Sequence, residues 1–197
     1  MSHQMSPDEP GRHPFPPLVD PAGTAGDLRE ALETVRGARG QVAGIWRSMA
    51  YHAPLIRAHL AIYQALIFDR WGLDRRQCEL LGTVASSVNG CRYCSMHHGA
   101  PLLQEGQDPA EVAALKADPD HAPLRNPGDD ALRRLAVKLT RSPSEDHRAE
   151  MGRLAELGFT EAQRLQAVSV VAYFAMMNRL ADGLDLPLEP DYLGSTR

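Results

Sequence analysis

The segment "NGCRYCSMHHGA", residues 89–100, holds the most reactive set of side chains in this sequence. Cys91 and Cys94 stand three residues apart, and His98 follows four residues after the second. A cysteine pair at this spacing supports three kinds of behaviour: cycling between dithiol and disulfide, supplying two ligands to a metal, or inert packing. Which applies depends on the element that carries the pair and on which end of it they occupy.

Asn89-Gly90 is a helix-stop and tight-turn pair, so a new helix is expected from Gly90–Cys91. At about 100° per residue, Cys94 lies about 60° from Cys91, and His98 falls between them on one face. On the same wheel His97 points about 100° away from His98 and Tyr93 faces nearly opposite, which places both outside the cluster. Unpaired N–H groups and the positive end of the helix dipole favour a thiolate in the first turn. A free thiol titrates near ~8.5, and such a position with cationic neighbours lowers this by about one to several units. An imidazole one turn on can accept the thiol proton. Only the thiolate attacks a peroxide or a disulfide, and a neighbouring thiol can then capture the resulting sulfenate. The i,i+4 relation to His98 marks Cys94 as nucleophile and leaves Cys91 as the resolving partner.

Glu79 extends this set. It lies ten residues before Asn89, while His98 lies nine after it. In an antiparallel helical hairpin rising ~1.5 Å per residue, the two reach the same height. Thr83, Ser86 and Gly90 share the face of Glu79 and are small enough for close approach. A carboxylate beside His98 would raise the imidazole's basicity and complete a relay from Glu79 through His98 to Cys94. The alternative for Glu79 is a solvated surface charge.

Zinc is the main rival, since Cys91, Cys94 and His98 are suitable ligand types. A structural site normally takes four, and His97 and Cys78 are badly placed to supply the last. Covalent haem attachment needs histidine at position 95, which is Ser95. A non-enzymatic redox sensor or interaction protein would use the same local chemistry as an enzyme.

The elements that must position these groups read as helices throughout. The 197 residues fit one domain or one protomer of an oligomer. Residues 1–24 carry six of the fifteen prolines and are expected to form an extended or disordered arm, packing on a neighbouring subunit. Residues 25–197 are expected to be a single all-α domain, a helical bundle with the CxxC at a helix N-terminus. Its helical segments lie within 24–40, 53–72, 74–90, 91–106, 108–118, 126–143, 144–158 and 160–184, punctuated by Gly and Pro, and no period-two alternation argues for strands. Residues 167–177, "AVSVVAYFAMM", are apolar nearly all round, which suits a helix buried at a subunit interface or at the centre of the core.

Net charge is −4 with scattered Lys and Arg, so no basic stripe points to nucleic acid. No run approaches the ~18 apolar residues of a membrane span, and the first residues lack the apolar core of a secretory signal. A cytoplasmic protein is the expectation, and in a reducing compartment a close cysteine pair points to turnover or a metal rather than a structural bridge.

The spacing of Glu79, Cys91, Cys94 and His98 resembles the alkylhydroperoxidase D core of the carboxymuconolactone decarboxylase-like superfamily. "FAMMNRLADGLDLPLEPDYL" is similar to the end of its peroxidase-related subgroup, so the likeness runs from about residue 50 to 193. This resemblance implies an all-α fold assembled as trimers or hexamers. It also implies a CxxC that reduces hydroperoxides without metal, flavin or haem, recharged by a thioredoxin-like or lipoyl-bearing reductant. Cys94 then corresponds to the peroxidatic cysteine, Cys91 to the resolving one, and His98 with Glu79 to the proton relay. One departure is Tyr93, where better-characterised hydroperoxidases of this kind have a histidine; a neutral phenol does not shuttle protons at neutral pH. The decarboxylase branch lacks the cysteine pair, so lactone decarboxylation is not expected.

The remaining chemically interesting residues have plainer roles. Cys78 reads as a small buried helix residue rather than a third redox thiol, His52 and His59 as surface or core packing with a pocket border as the alternative, and Trp46 and Trp71 as core anchors. Asn178 and Arg179 interrupt the apolar helix and read as an interface hydrogen-bond network, with a substrate role as the alternative for Arg179.

Overall fold

The computed structural model describes residues 13–189, and no strand occurs among them. Nine helices follow in order: α1 (Gly26–Arg39), α2 (Gly44–Ser48), α3 (Ala53–Ile67), α4 (Arg75–Val88), α5 (Arg92–Gln104), α6 (Pro109–Ala117), α7 (Pro127–Arg141), α8 (Arg148–Glu156) and α9 (Glu161–Gly183). The expected all-α bundle is therefore what forms. Only the five-residue α2 lacks a periodic signal in the sequence.

Helix boundaries follow local chemistry. Asp74 opens α4 with a capping box, accepting from the Gln77 backbone N–H while the Gln77 side chain returns to the Asp74 N–H. Thr160 and Gln163 do the same for α9, and each such cap stabilises its helix by about 1 kcal/mol. Gly40 ends α1 with φ +78°, a left-handed conformation that side-chain-bearing residues adopt at a cost.

The centre of the bundle is α4, which packs against α5, α7 and α9. Its apolar residues Leu80, Leu81, Val84 and Ala85 are fully buried, as are Leu132, Leu135 and Ala136 of α7 and Val170 and Phe174 of α9. Gly82 lets α9 approach: a Cβ there would meet the Phe174 ring at 2.5 Å. Filling a core with rings this large is worth about 3–5 kcal/mol per ring when truncated to alanine.

Thus α9 runs through the interior, but not on every side. Leu165 and Met176 remain 59% and 47% exposed, forming an open apolar stripe on its outer face. Asn178 is buried and bonds within the chain: it accepts from Asn89 Nδ2 at 2.7 Å and donates to Ser86 Oγ at 3.0 Å. The hydrogen-bond network expected between subunits therefore ties α9 to the α4–α5 turn of the same chain. Arg179 instead donates to Ala175 O one turn back on its own helix.

Trp46 is buried as expected, but Trp71 is 41% exposed, its indole N–H donating to Ala65 O at 2.8 Å. A helix C-terminus followed by a tight loop gives Trp71 a surface to lie on and no interior to enter. His52 is exposed at the N-cap of α3, and His59 is buried. Residues 13–24 lie along the chain itself, with Val19 N–H donating to Arg47 O and Tyr51 Oη to Pro17 O. Residues 1–12 of the expected arm, and residues 190–197 of the expected domain, lie outside the described part.

Candidate active site

Helices α4 and α5 form the hairpin that counting along the chain suggested. Gly90 takes φ +72°, and the turn closes through Gly90 N–H to Ser87 O and Cys91 N–H to Ser86 O at 3.0 and 2.9 Å. Cys91 is the N-cap of α5 with extended φ and ψ, and it makes no side-chain cap bond. Cys94 is consequently the third helical residue, inside the turn whose N–H groups lack helical partners.

The two sulfurs are not equivalent. Cys94 lines a cleft of about 600 Å³, whereas Cys91 does not. Cys91 is fully buried behind it, packed with Ala181 and Leu186. A hydrogen bond with Cys94 and burial push the Cys91 thiol well above its ordinary pKa, so it stays protonated. Beside it lies Asp182, whose carboxyl burial pushes up and the Cys91 contact pulls down, with burial dominant. Cys78 is inert by comparison: it is fully buried, and burial raises its thiol to about 12.

Glu79 and His98 meet. His98 Nδ1 lies 2.6 Å from Glu79 Oε2, and Glu79 is fully buried rather than solvated. Its other oxygen, Oε1, accepts from Arg75 Nε at 2.7 Å and pairs with Arg75 Nη2. Burial works to raise the Glu79 carboxyl, but the charges and hydrogen bonds of His98 and Arg75 overcome this and hold it below its ordinary value. An ionised carboxylate only accepts, so Nδ1 of His98 is the donor. That fixes the tautomer of the neutral ring: Nε2 carries the lone pair. The ring is held edge-on against Phe174 with centroids 4.4 Å apart, and it lines the cleft with Cys94.

A second polar cluster occupies the same cleft. His97 Nε2 lies 2.8 Å from Glu189 Oε2, and Tyr93 Oη donates to Glu189 Oε1 at 3.1 Å. The Gly44 N–H donates to Glu189 Oε1 and the Ile45 N–H to Tyr93 Oη, at 2.6 and 3.1 Å. The Tyr93 and His97 rings stack with centroids 4.3 Å apart. Burial raises the Glu189 carboxyl, but the His97 and Gly44 bonds more than offset it and bring it down to about 2. Burial and Glu189 push the Tyr93 phenol well above its ordinary range. Tyr93 is therefore a neutral structural clamp. The helical wheel placed Tyr93 and His97 away from the other three, yet both line the cleft, because residues 43–46 and the segment after α9 cover their side of α5. Glu189 and Asp182 carried no local signal in the sequence.

One wall of the cleft is aromatic, with Trp46, His59, Tyr63, Phe68, Tyr173 and Phe174 in its lining. His59 stacks on Trp46 at 4.0 Å and shares a 2.6 Å hydrogen bond with Tyr173 Oη. Desolvation lowers its pKa to about 4, so at neutral pH the ring is uncharged. Among the described residues, no group of three or more His, Cys, Asp or Glu side chains is arranged to hold a metal ion.

The carboxymuconolactone decarboxylase family model matches residues 54–118, the stretch from α3 through α6. A peroxidase-related protein from Silicibacter sp. TM1040 is 26% identical and superposes with a TM-score of 0.80, covering 95% of this chain and 100% of that one. The chain has the alkylhydroperoxidase D-like helical fold. A second peroxidase-related protein with an alkylhydroperoxidase AhpD core, from Ralstonia eutropha JMP134, is 24% identical with a TM-score of 0.79 over 89% of this chain and 92% of that one. The debrominase Bmp8 shares the fold at 16% identity and a TM-score of 0.74, over 89% of this chain and 92% of that one. No curated protein sequence matches. No described helix is long and apolar enough to cross a membrane.

Proposed function

We propose that the protein is a thiol-dependent peroxidase that reduces organic hydroperoxides through Cys94 and Cys91, with Glu79 and His98 as its proton relay. The observation that carries this reading is the buried Glu79 carboxylate bonded to His98 Nδ1 at 2.6 Å, one helical turn from a cysteine that lines the cleft. The fixed tautomer leaves Nε2 as the only basic atom of that ring able to take the Cys94 proton.

The thiolate of Cys94 attacks the terminal oxygen of the hydroperoxide. The S–O bond forms, the O–O bond breaks, and the departing alkoxide takes the proton held on His98, leaving an alcohol and a Cys94 sulfenic acid. The Cys91 thiol then attacks the Cys94 sulfur: the S–S bond forms, the S–O bond breaks, and the thiol proton, passed by way of Asp182, joins the departing hydroxide as water. A dithiol reductant, thioredoxin-like or lipoyl-bearing, returns both thiols and becomes a disulfide itself. Two electrons pass from reductant to peroxide per cycle, and no other cofactor is required.

The open stripe of α9 suits self-association, and a trimeric or hexameric cytoplasmic assembly is part of this proposal. The test is a panel of hydroperoxides assayed with dihydrolipoamide and with a thioredoxin system. Sustained turnover that requires Cys94 supports it. A single disulfide formed without turnover would instead indicate a redox sensor.

A further inference from the structure

We propose that the cleft contains a carboxylate-binding subsite built on Arg39, and that its substrate is a flat, apolar hydroperoxide bearing one carboxylate. For the reacting end of the molecule this rests on the peroxidase reading; the anion subsite itself does not.

Arg39 is the last residue of α1 and is half-buried at the cleft wall. Its guanidinium lies 4.9 Å from the ring centroids of both Tyr63 and Phe68. A second guanidinium, that of Arg75, sits 3.9 Å from the same Phe68 ring, so two cations share one aromatic face system. Their situations differ. Arg75 is committed to the Glu79 carboxylate. Among the described residues Arg39 meets no carboxylate. Glu105 also lines the cleft but forms no ion pair with it, and Glu189 is occupied by Gly44, Tyr93 and His97.

A guanidinium resting on ring faces is partly desolvated and held flat, with its N–H edge free for a bidentate partner. A partly buried charge beside another cation, without its own counter-ion, is best satisfied by an anion from outside. One uncommitted guanidinium matches a single negative charge, which favours a carboxylate over a phosphate dianion.

The geometry also places this anion relative to the chemistry. Tyr63 stands between the two ends: Arg39 lies 4.9 Å from its centroid, and the His98 ring lies 6.4 Å from it. A substrate with its carboxylate on Arg39 and its peroxide near Cys94 must therefore span about one aromatic ring along a wall made of Tyr63, Trp46, Tyr173 and Phe174. A cleft of about 600 Å³ has room for such a molecule and is far larger than hydrogen peroxide needs.

The experiment compares cumene hydroperoxide with its para-carboxylate analogue, using the full chain and the variants Arg39→Gln and Arg39→Lys. Wild type should favour the carboxylate in kcat/KM by about tenfold or more, the effect of one charge-assisted hydrogen bond. That preference should fall towards unity in Arg39→Gln, mainly through KM, survive in part in Arg39→Lys, and weaken with added salt. Equal kcat/KM for the two substrates, or a preference retained in Arg39→Gln, would overturn the proposal. Binding of unreactive 4-isopropylbenzoate, followed by tryptophan fluorescence, reads the subsite without turnover. Arg39-dependent binding with no peroxidase activity would support the subsite while sinking the peroxidase reading. Turnover of both hydroperoxides with no 4-isopropylbenzoate binding would do the reverse. Tighter binding of 4-isopropylphenyl phosphate than of the benzoate would refute the choice of a carboxylate.

Discussion

Replacing Glu79 by Gln is the most informative single change, because one side chain serves two partners. Its oxygens accept separately, Oε2 from His98 and Oε1 from Arg75. A glutamine has one acceptor oxygen and one N–H₂ group. With its oxygen turned to Arg75, the amide N–H₂ faces His98 Nδ1 and forces that nitrogen to accept, which moves the ring proton to Nε2. The imidazole then presents an N–H where the Cys94 thiol needs a lone pair. A correctly placed general base is worth about 10²–10⁴ in rate, so kcat/KM for cumene hydroperoxide should fall by about 10²–10³. With its oxygen turned to His98 instead, the amide N–H₂ faces a guanidinium, a repulsive contact at a fully buried site. Either way, folding stability should drop by about 3 kcal/mol, the low end for breaking a buried ion pair, because an isosteric amide keeps part of the hydrogen bonding. The pH dependence has a definite sign. Glu79 titrates below its ordinary 4.5 in the folded protein, so its stabilisation is complete above that value and lost as pH falls through the folded pKa. Urea melts from pH 7 to 3 should show an acid limb that is shallower in Glu79→Gln. Stopped-flow peroxide consumption together with iodoacetamide labelling of Cys94 across pH supplies the kinetic half. A variant within threefold of wild type, with an unchanged labelling profile, would refute the relay.

Other changes test other links. Cys94→Ser should abolish turnover with the helical circular dichroism unaltered, whereas Cys91→Ser should stop after one equivalent of peroxide and leave a sulfenic acid that dimedone traps. His59 has its pKa lowered to about 4 by burial. The stability this neutral ring supports is complete above pH ~6.5 and falls by up to about 3 kcal/mol as the pH drops towards 4, at ~1.4 kcal/mol per pKa unit. Thermal melts of wild type and His59→Gln over that range should converge at low pH. Gly82→Ala would press a methyl against the Phe174 ring that braces His98. It should cost about 1–3 kcal/mol in a chemical melt and reduce activity as well.

The parts of this site legible in the sequence are those fixed by helix geometry across a short turn. Glu79 and His98 are nineteen residues apart, but two regular helices and a glycine turn leave one register, so counting along the chain brings them together. The inequality of the cysteines follows partly from sequence, through the i,i+4 relation of Cys94 to His98. The burial of Cys91 behind it depends on Ala181 and Leu186, which only the tertiary fold supplies. Glu189 reaches Gly44 across 145 residues, so Tyr93 and His97 look stranded on a helical wheel until the segment after α9 folds back. Asn178 was legible as part of a polar network but not its location, because an apolar helix with one buried amide suits an intersubunit contact as well as an intrachain one. Trp71 misled for a related reason: a large aromatic side chain reads as core unless the loop bearing it is known to lie on the surface.

The measurement that bears most directly on the paired-cysteine chemistry is a thiol count by intact-mass spectrometry, before and after one equivalent of cumene hydroperoxide. The reduced chain has three thiols. Rapid loss of two, with a peptide linking Cys91 to Cys94 and Cys78 still free, is the predicted result. Three thiols still present after exposure, or a bridge that includes Cys78, would contradict it.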